Sequence, residues 1–277
     1  MFDVQTPETH ALMQDPAFAA ALRLCGQSPI TLPSGLTLLS RRVLGIPLLM
    51  LPRAVPPTDL TDQLRAKNLH RCPLILSPES PFAPLGLRLK AAQTLLHLDL
   101  TADTATRRAR LHPKWRNQLR RAEDSPLRVR QRTLEPDHPL LALEETQSKT
   151  IGYRNWPRAL TTAFATVAPA QTQLFTATLR GHPVAHMLFL THGHRATYHI
   201  GHTTPEGRAH HAHNLILWLA MTHLARTGHV TVDLGRDRCG DPDTEPLQTP
   251  HRRPSASNRR HMAALVPPCT LALLMIF

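Results

Sequence analysis

The segment at residues 171–234 constrains the fold most, because its hydrophobic pattern changes period in a fixed order. Three short apolar segments come first, and glycine-containing turns separate them. An apolar segment of helical length follows, ends at a glycine and leads into one more strand pattern. The pattern predicts strands at residues 171–180, 184–191, 196–201 and 230–234, and a helix over about residues 208–227 that Gly228 closes. We therefore predict a mixed, largely antiparallel sheet flanked by helices.

The chain of 277 residues has room for two compact units, each with its own core. The N-terminal part alternates between helical and strand patterns, and Asp15 followed by Pro16 marks the start of a helix. The pattern predicts strands at residues 36–42, 46–51, 73–76 and 94–100 and a helix at residues 59–69. We predict an α/β (α+β) protein with domains over residues 1–100 and 101–235.

Residues 101–125 carry the clearest helical signal in the chain. Apolar side chains recur there at i, i+4, i+8 and i+11 and form one stripe, which consists of Leu111, Trp115, Leu119 and Ala122. Pro126 is predicted to end this helix. The pattern further predicts a strand at residues 127–133 and helices at residues 139–150 and 157–167.

Basic residues are concentrated in the same region. The formal net charge is +12, and residues 107–132 hold ten basic side chains against two acidic ones, a local balance of +8. One interpretation is a phosphate-binding surface for nucleic acid or for the end of a tRNA. The other is a solvated face that covers the apolar stripe. We favour the solvated face, because aromatic residues that stack on bases make up only 4% of the chain.

The loop before the predicted helix at residues 208–227 contains a glycine and an arginine. The first N–H groups of a helix lack partners inside the helix and lie at the positive end of its dipole, so they bind anions. Gly207 would let the backbone approach a phosphate closely, and Arg208 would add a forked positive charge. A plain strand-to-helix turn with a solvated arginine explains the pattern equally well. The candidate phosphate-binding residues are Gly207, Arg208, Ala209, His210 and Asn214.

Four segments together resemble the GNAT-fold acyltransferases related to FemAB. They are residues 114–122 (KWRNQLRRA), 207–208 (GR), 214–218 (NLILW) and 228–235 (GHVTVDLG). The resemblance covers roughly residues 1–235 and lies in the order and spacing of the segments rather than in one motif. It implies two GNAT-like domains and direct transfer of an acyl or aminoacyl group to an amine, without an acyl-enzyme.

The resemblance leaves the donor open. The tRNA-using members carry a long coiled-coil arm for which this chain has no room, so acyl-CoA, such as acetyl-CoA, is the favoured donor. Aminoacyl-tRNA is the alternative donor, with a tRNA contact through residues 107–132. A small molecule or a peptide would supply the acceptor amine. A non-catalytic, basic nucleic-acid-binding protein is the remaining alternative.

Direct acyl transfer needs a deprotonated amine, a polarised carbonyl group and an acid for the departing thiolate. The candidate catalytic residues are Tyr198, His199, His202 and Asp233. The first three lie where the last strand of the meander meets the loop, and Asp233 ends the last clear strand. Packing, solvation or a loop cap are the ordinary explanations for each of them. The candidate substrate-binding residues are Lys114, Arg116, Tyr153 and Trp156, and the last two fit ordinary packing equally well.

After Gly235 the chain departs from the family pattern. A Gly-Leu-x-x-Phe-Lys element usually follows in the family, whereas residues 236–277 are rich in Pro, Arg, His and Ser. A shifted reading frame or a disordered extension would produce such an irregular tail. Since the last strands of the catalytic half are missing from the pattern, we expect this copy to be impaired or inactive.

Other sequence features indicate where the protein is located and whether it has disulfides or a metal site. No apolar run reaches the roughly 20 residues needed to cross a bilayer. The first residues are acidic and polar, where a signal peptide would be basic and then apolar. The four cysteines form no C-x-x-C pair, and the many histidines match no ligand motif. We expect a cytoplasmic protein with reduced thiols and without a metal.

Overall fold

The computed structural model describes residues 10–80, 86–91, 93–153 and 155–236, together with the backbone of residues 263–266. The helices are α1 (Pro16–Leu24), α2 (Leu60–Ala66), α3 (Thr104–Ala109), α4 (Pro113–Glu123), α5 (Leu140–Ile151), α6 (Arg158–Val167), α7 (Pro205–Ala209) and α8 (Ala212–Arg226). The strands are β1 (Ile30–Thr31), β2 (Thr37–Val43), β3 (Ile46–Pro52), β4 (Leu74–Ser77), β5 (Leu87–Lys90), β6 (Leu95–Asp99), β7 (Leu127–Arg132), β8 (Thr172–Leu179), β9 (His182–His192), β10 (Arg195–Thr203), β11 (Thr231–Arg236) and β12 (Ala263–Val266).

The described residues fall into two compact units. The N-terminal unit comprises residues 10–95 and 154–167 with strand β12, and the C-terminal unit comprises residues 96–153 and 168–236. Each unit contains one mixed sheet flanked by helices, which confirms the predicted fold class. The predicted domain boundaries at residues 100 and 235 stay predictions.

The sheet of the N-terminal unit has the strand order β1-β2-β3-β4-β12-β5. Strands β3 and β4 are parallel, and the other neighbours are antiparallel. Helix α1 begins as predicted, because the Asp15 carboxylate accepts the Ala17 N–H at 2.8 Å and Pro16 stands at the first helical position. Helix α6 packs on α1.

The sheet of the C-terminal unit has the strand order β6-β11-β10-β9-β8-β7. Strands β7 to β10 form an antiparallel run, which includes the predicted meander of β8, β9 and β10. Strand β11 then lies parallel to β10, because helices α7 and α8 carry the chain back between the two strands. The order of elements over residues 171–234 is therefore confirmed.

The apolar stripe predicted in the basic region forms part of this core. Its four residues are buried and share a cluster with Ile216 and Met221 of α8. Helix α4 packs against α8. The stripe therefore fixes which face of α4 points inward and leaves most of its arginines exposed.

Two predicted helices are each divided in two. The helix predicted at residues 101–125 stops at α3 and restarts at Pro113, since proline lacks an N–H group and suits the first position of α4. The helix predicted at residues 208–227 is interrupted at His211, whose φ of 51° is left-handed. The long helix of the C-terminal unit therefore begins at Ala212, four residues later than predicted.

Most of the predicted tail at residues 236–277 lies outside the described residues, and so do its irregular, disordered and frameshift interpretations. The structure describes Arg236 and strand β12, which pairs antiparallel with both β4 and β5. In the part of the chain that the structure describes, no helix is long and apolar enough to cross a membrane.

Candidate active site

Strands β10 and β11 pair only at their beginning. Their register pairs join Arg195–Thr197 to Thr231–Asp233, whereas β10 continues to Thr203 alongside β9. The pairing of β10 with β9 is irregular between Tyr198 and Ile200, so His199 forms a bulge. A bulge re-aims a strand, and here it falls immediately after the last pair with β11. Residues 198–203 therefore present a strand edge that no register pair with β11 covers within the described chain.

The predicted catalytic residue Tyr198 stands at the start of this edge. A Cβ atom on Gly201 would lie 1.7 Å from the Tyr198 hydroxyl, so the glycine leaves the space that the hydroxyl occupies. The ring of Tyr198 packs beside Phe189, with the ring centroids 5.7 Å apart. Burial, and after it the charge of Glu144, raises the pKa of Tyr198 to about 12. The phenol is therefore protonated near neutral pH.

Helix α5 reaches the same edge through polar side chains. The Gln147 Nε2 donates to the Gly201 carbonyl at 3.2 Å and to the Tyr153 hydroxyl at 3.1 Å. The Tyr153 hydroxyl in turn donates to the Glu144 Oε2 at 2.8 Å. Burial and this bond raise the pKa of Tyr153 well above its ordinary value. The predicted substrate residue Tyr153 thus lies in one hydrogen-bonded group with Gly201 of β10.

The two predicted histidines on β10 have lowered pKa values. Burial lowers the pKa of His199 to about 3. Burial, followed by the charge of Arg208, lowers the pKa of His202. Both imidazoles are therefore neutral at pH 7, which makes them hydrogen-bonding groups there rather than cationic acids.

Asp233 lies at the last register pair between β10 and β11. Its side chain is 1% exposed, and its Oδ1 accepts the Gly235 N–H at 2.7 Å. Gly235 has a φ of 84°, so the carboxylate holds a turn that favours glycine. The His97 Nε2 of β6 lies 3.9 Å from the same oxygen. The structure thus shows the loop cap, the ordinary explanation for Asp233, and adds a neighbouring histidine that the sequence pattern does not single out.

Gly207 belongs to the short helix α7 rather than to the start of the long helix. Its N–H donates to the Thr204 hydroxyl, which caps α7, at 3.1 Å. A Cβ atom at this position would lie 2.3 Å from the Val184 carbonyl oxygen and 2.7 Å from the Thr203 hydroxyl. Packing of α7 on β9 therefore explains this glycine, and the exposed Arg208 donates to the Thr203 carbonyl at 3.2 Å. Their role in binding phosphate stays a prediction.

The long helix α8 begins at Ala212, five residues after Gly207. His211 stands at its N-cap position, and no side chain of the described residues caps the first turn. The N–H groups of that turn lie at the positive end of a 15-residue dipole. Burial, followed by the charges of Arg121 and His210, lowers the pKa of His211. The predicted residue Asn214 contacts Gln118 of α4 at 3.2 Å between its Nδ2 and the Gln118 Oε1.

The remaining predicted residues lie on other elements. Lys114 and Arg116 are exposed on the first turn of α4, and Ala209 is exposed on α7. Trp156 belongs to the N-terminal unit, where its ring lies 5.0 Å from that of Phe18 and 6.2 Å from that of Phe164. Its environment is aromatic packing, and its role toward a substrate stays a prediction.

Two arginines of the basic segment make contacts within the C-terminal unit. The buried Arg107 donates to the Met221 carbonyl of α8 at 2.9 Å. Arg108 forms two bonds to the Glu123 carboxylate and lies 5.6 Å from the centre of the Trp218 ring. Most of the other cations of the segment are exposed. The favoured interpretation, a solvated face over a buried stripe, agrees with this placement.

Histidines also gather beside β9. The rings of His138 and His202 lie 5.6 Å and 6.5 Å from that of His186. Burial, together with the neighbouring imidazoles, lowers the pKa of His186 to about 4. Among the described residues, no group of three or more His, Cys, Asp or Glu side chains is placed to hold a metal ion.

Comparison with known proteins identifies the family. The family model of the acetyltransferase (GNAT) domain matches residues 105–244, half of the 277-residue chain. The chain therefore belongs to the GNAT acetyltransferase family, which makes it a transferase of the N-acyltransferase class. A search of curated proteins found no match.

Solved structures confirm the FemAB-like resemblance at the level of the fold. FemX superposes with a TM-score of 0.64 at 12% identity, over 87% of each chain. A conserved protein of unknown function from Bacteroides thetaiotaomicron gives 0.58 at 14% identity, over 94% of this chain and 93% of its own. L-PGS from Bacillus licheniformis gives 0.52 at 10% identity, over 93% of each chain. At these identities the likeness extends to the fold alone.

A substitution at Gly207 separates packing from ligand binding. We expect Gly207→Ala to lower the free energy of unfolding by about 1–3 kcal/mol, because a methyl group there meets a backbone carbonyl. The exposed neighbour on the same helix supplies the control, and Glu206→Ala should change stability by less than about 0.5 kcal/mol. Urea denaturation measures both. A Gly207→Ala protein of normal stability that no longer binds acyl-CoA would contradict the packing explanation.

Proposed function

We propose that the protein transfers an acyl group from acyl-CoA to an amine acceptor by direct attack. The observation that carries this proposal is the uncovered edge of β10, which runs from the bulge at His199 to α7 and the start of α8. A ligand that is extended at one end and anionic at the other fits such a site. Acyl-CoA has both properties, since its amide-containing arm ends in a pyrophosphate.

The uncovered edge suits the arm of the donor. Unpaired N–H and C=O groups along a strand edge bind an extended chain that carries amide groups, as an added strand would be bound. No register pair with β11 covers residues 198–203 in the described chain, although the Gly201 and Thr203 carbonyls accept hydrogen bonds from the side chains of Gln147 and Arg208. The reactive thioester would then lie beside Tyr198, where β10 and β11 part.

The start of α8 suits the pyrophosphate. The N–H groups of its first turn, which no side chain of the described residues caps, and the guanidinium of Arg121 would provide a positive potential at the end of the edge. Arg208 of α7 adds a further exposed cation. We therefore move the proposed phosphate site from the surroundings of Gly207 to residues 211–214, and keep Arg208, His210 and Asn214 in it.

Tyr198 is the proposed acid of the reaction. Its raised pKa keeps the phenol protonated, so the hydroxyl can donate a hydrogen bond and then its proton to the departing sulfur. The neutral His199 and His202 would orient the donor through hydrogen bonds. Asp233 would hold the turn that follows β11.

Aminoacyl-tRNA is the second candidate donor. The exposed arginines of α4 and β7 favour it, because a tRNA end would extend beyond the start of α8 across a basic surface. Filter binding of tRNA at low and high salt tests this candidate. Tight binding that falls steeply with salt and competes with acetyl-CoA would favour the tRNA donor.

Removal of Arg121 tests the phosphate site. We expect Arg121→Ala to weaken acetyl-CoA binding about 5- to 20-fold, because one charge-assisted contact is worth about 1–2 kcal/mol. Isothermal titration calorimetry measures the dissociation constant. Arg128→Ala removes an exposed arginine from the edge strand β7 and serves as the matched control, with unchanged affinity. Equal affinities for both variants would place the pyrophosphate elsewhere, and no binding by the unaltered protein would contradict the acyl-CoA proposal.

Removal of the Tyr198 hydroxyl tests the acid. We expect Tyr198→Phe to lower kcat about 100-fold or more while the dissociation constant of acetyl-CoA stays the same. A pKa of about 12 also means that this group stays protonated as the pH rises from 7 to 10. The wild-type rate should therefore not fall in that range through loss of the acid. A kcat equal to that of the wild type would remove Tyr198 from the mechanism.

A further inference from the structure

Three histidine rings lie side by side near the start of α5 in the C-terminal unit. His186 of β9 is the central one and is 7% exposed. The ring of His138, which precedes α5, stands edge-on to it with the ring centroids 5.6 Å apart. The ring of His202 lies 6.5 Å away, because His186 and His202 are register partners on β9 and β10. We call these three residues the histidine cluster.

A hydrogen bond requires His138 to be neutral. The His138 Nδ1 accepts the Leu140 N–H at 3.1 Å. A backbone N–H group can only donate, so the Nδ1 carries no proton in this bond. Both ring nitrogens of an imidazolium ion carry a proton. Protonation of His138 therefore breaks the bond to Leu140.

This bond provides a partner for the first amide group of α5. The first N–H groups of a helix have no acceptor inside the helix, and Pro139 at the N-cap position has no side chain that could accept. Leu140 and Leu141 are 0% and 2% exposed, so the helix begins in the interior. A buried N–H group that loses its acceptor is costly. The first turn of α5 is therefore more stable when His138 is neutral.

The surroundings of His186 disfavour a positive charge. Burial, followed by the charges of His138, His202 and His213, lowers the pKa of His186 to about 4. The His186 Nδ1 lies 3.0 Å from the Thr176 hydroxyl oxygen, and a neutral or a charged ring can form this bond. Protonation within the cluster is therefore opposed by burial and by repulsion between rings, and not by loss of the bond to Thr176.

Two acidic residues in the loop before α5 have the opposite effect on His138. Burial lowers the pKa of His138, and the charges of Glu135 and Asp137 raise it by less. The net direction is downward. His138 is therefore neutral at pH 7 and gains its proton only in acidic solution.

Two arginines lie on the elements around the other rings. Burial, followed by the charge of Arg208 of α7, lowers the pKa of His202. Arg130 of β7 is exposed and is the register partner of Thr176 on β8, the strand next to β9. Neither arginine can serve as the counter-charge of an imidazolium ion.

We propose that the histidine cluster is an acid-sensitive latch, which holds the start of α5 in place near neutral pH and releases it in mildly acidic solution. Protonation of His138 would break its bond to Leu140 and place a cation beside His186. Helix α5 also carries Gln147, which donates to the Gly201 carbonyl of β10, so release of its first turns would alter the candidate active site. The latch would act whichever donor the protein uses, and it therefore goes beyond the proposed function.

The pH dependence of the latch has a definite sign. The pKa values of the three rings lie below the ordinary value of about 6.5, to which they would return in an opened segment. The closed state thus binds fewer protons than the open state, and its stability falls as the pH drops below about 6.5. Between pH 7.5 and pH 5.0, one ring that stays neutral in the closed state favours opening by up to about 30-fold.

The test compares two substitutions of His138. In His138→Asn the side chain keeps an oxygen that can accept the Leu140 N–H, but it no longer titrates, whereas His138→Ala removes the acceptor. His182→Asn is the matched control, because His182 is exposed at the start of β9. Hydrogen exchange at pH 7.5 and pH 5.0, corrected for the intrinsic effect of pH on exchange, measures the protection of residues 140–144 relative to residues 172–179 of β8.

We expect protection of residues 140–144 to fall about 5- to 30-fold between pH 7.5 and pH 5.0 in the wild-type protein and in His182→Asn. His138→Asn should lose less than about 3-fold over the same range, because its acceptor does not titrate. His138→Ala should already be about 5-fold less protected than the wild type at pH 7.5, because its helix lacks the acceptor at every pH.

Equal losses of protection in His138→Asn and in the wild-type protein would overturn the latch. Constant protection of residues 140–144 in the wild-type protein would overturn it too. Wild-type protection of His138→Ala at pH 7.5 would have the same consequence, since the bond to Leu140 would then not hold the start of α5.

Discussion

The parting of β10 from β11 is the constraint on which the candidate site depends. Parallel strands can pair along their whole length, yet these two pair over three residues and then separate at the bulge of His199. Backbone groups on a strand edge need partners, since unpaired polar groups withdrawn from water are costly. An amide-rich ligand, as proposed, would satisfy those that the described side chains do not. The proposed donor site rests on this short pairing between β10 and β11.

The two ends of the candidate site differ in their electrostatic environment. At one end the start of α8 and its neighbouring cations favour anions. At the other end, tyrosine hydroxyl groups and the Glu144 carboxylate are withdrawn from water. The dielectric constant is low there, so each charge interacts more strongly with its neighbours. Tyr198 is kept protonated there, and Glu144 contributes to this through its charge. The proposed site would therefore bind a charged donor at one end and transfer protons at the other.

The sequence predicts much of this fold because its patterns are regular. The stripe around Trp115, the meander and the closing glycine after α8 all follow from periodicity and end signals, and the structure contains each of them. The break at His211 has no such signal, since a left-handed histidine is a tertiary result rather than a local preference. Strand β5 has four exposed residues, so no alternation marks it.

The site was predictable only in part. Tyr198 could be chosen because it lies on the last strand before the loop, and Gly207 because glycine next to arginine suggests phosphate binding. The structure explains that glycine by the nearby Val184 carbonyl instead. Glu144 could have been found from its place on an apolar helix face beside Leu140 and Leu141, where a charged residue is uncommon. Its hydrogen bond to Tyr153 depends on a turn at Gly152, which the hydrophobic pattern does not reveal.

Hydrogen exchange with and without acetyl-CoA tests the role of the uncovered edge most directly, because it reads the backbone N–H groups themselves. The account predicts slower exchange at residues 198–203 and 211–214 when acetyl-CoA is added, with little change along β7 and β8. Unchanged exchange at residues 198–203 in a protein that binds acetyl-CoA would contradict it.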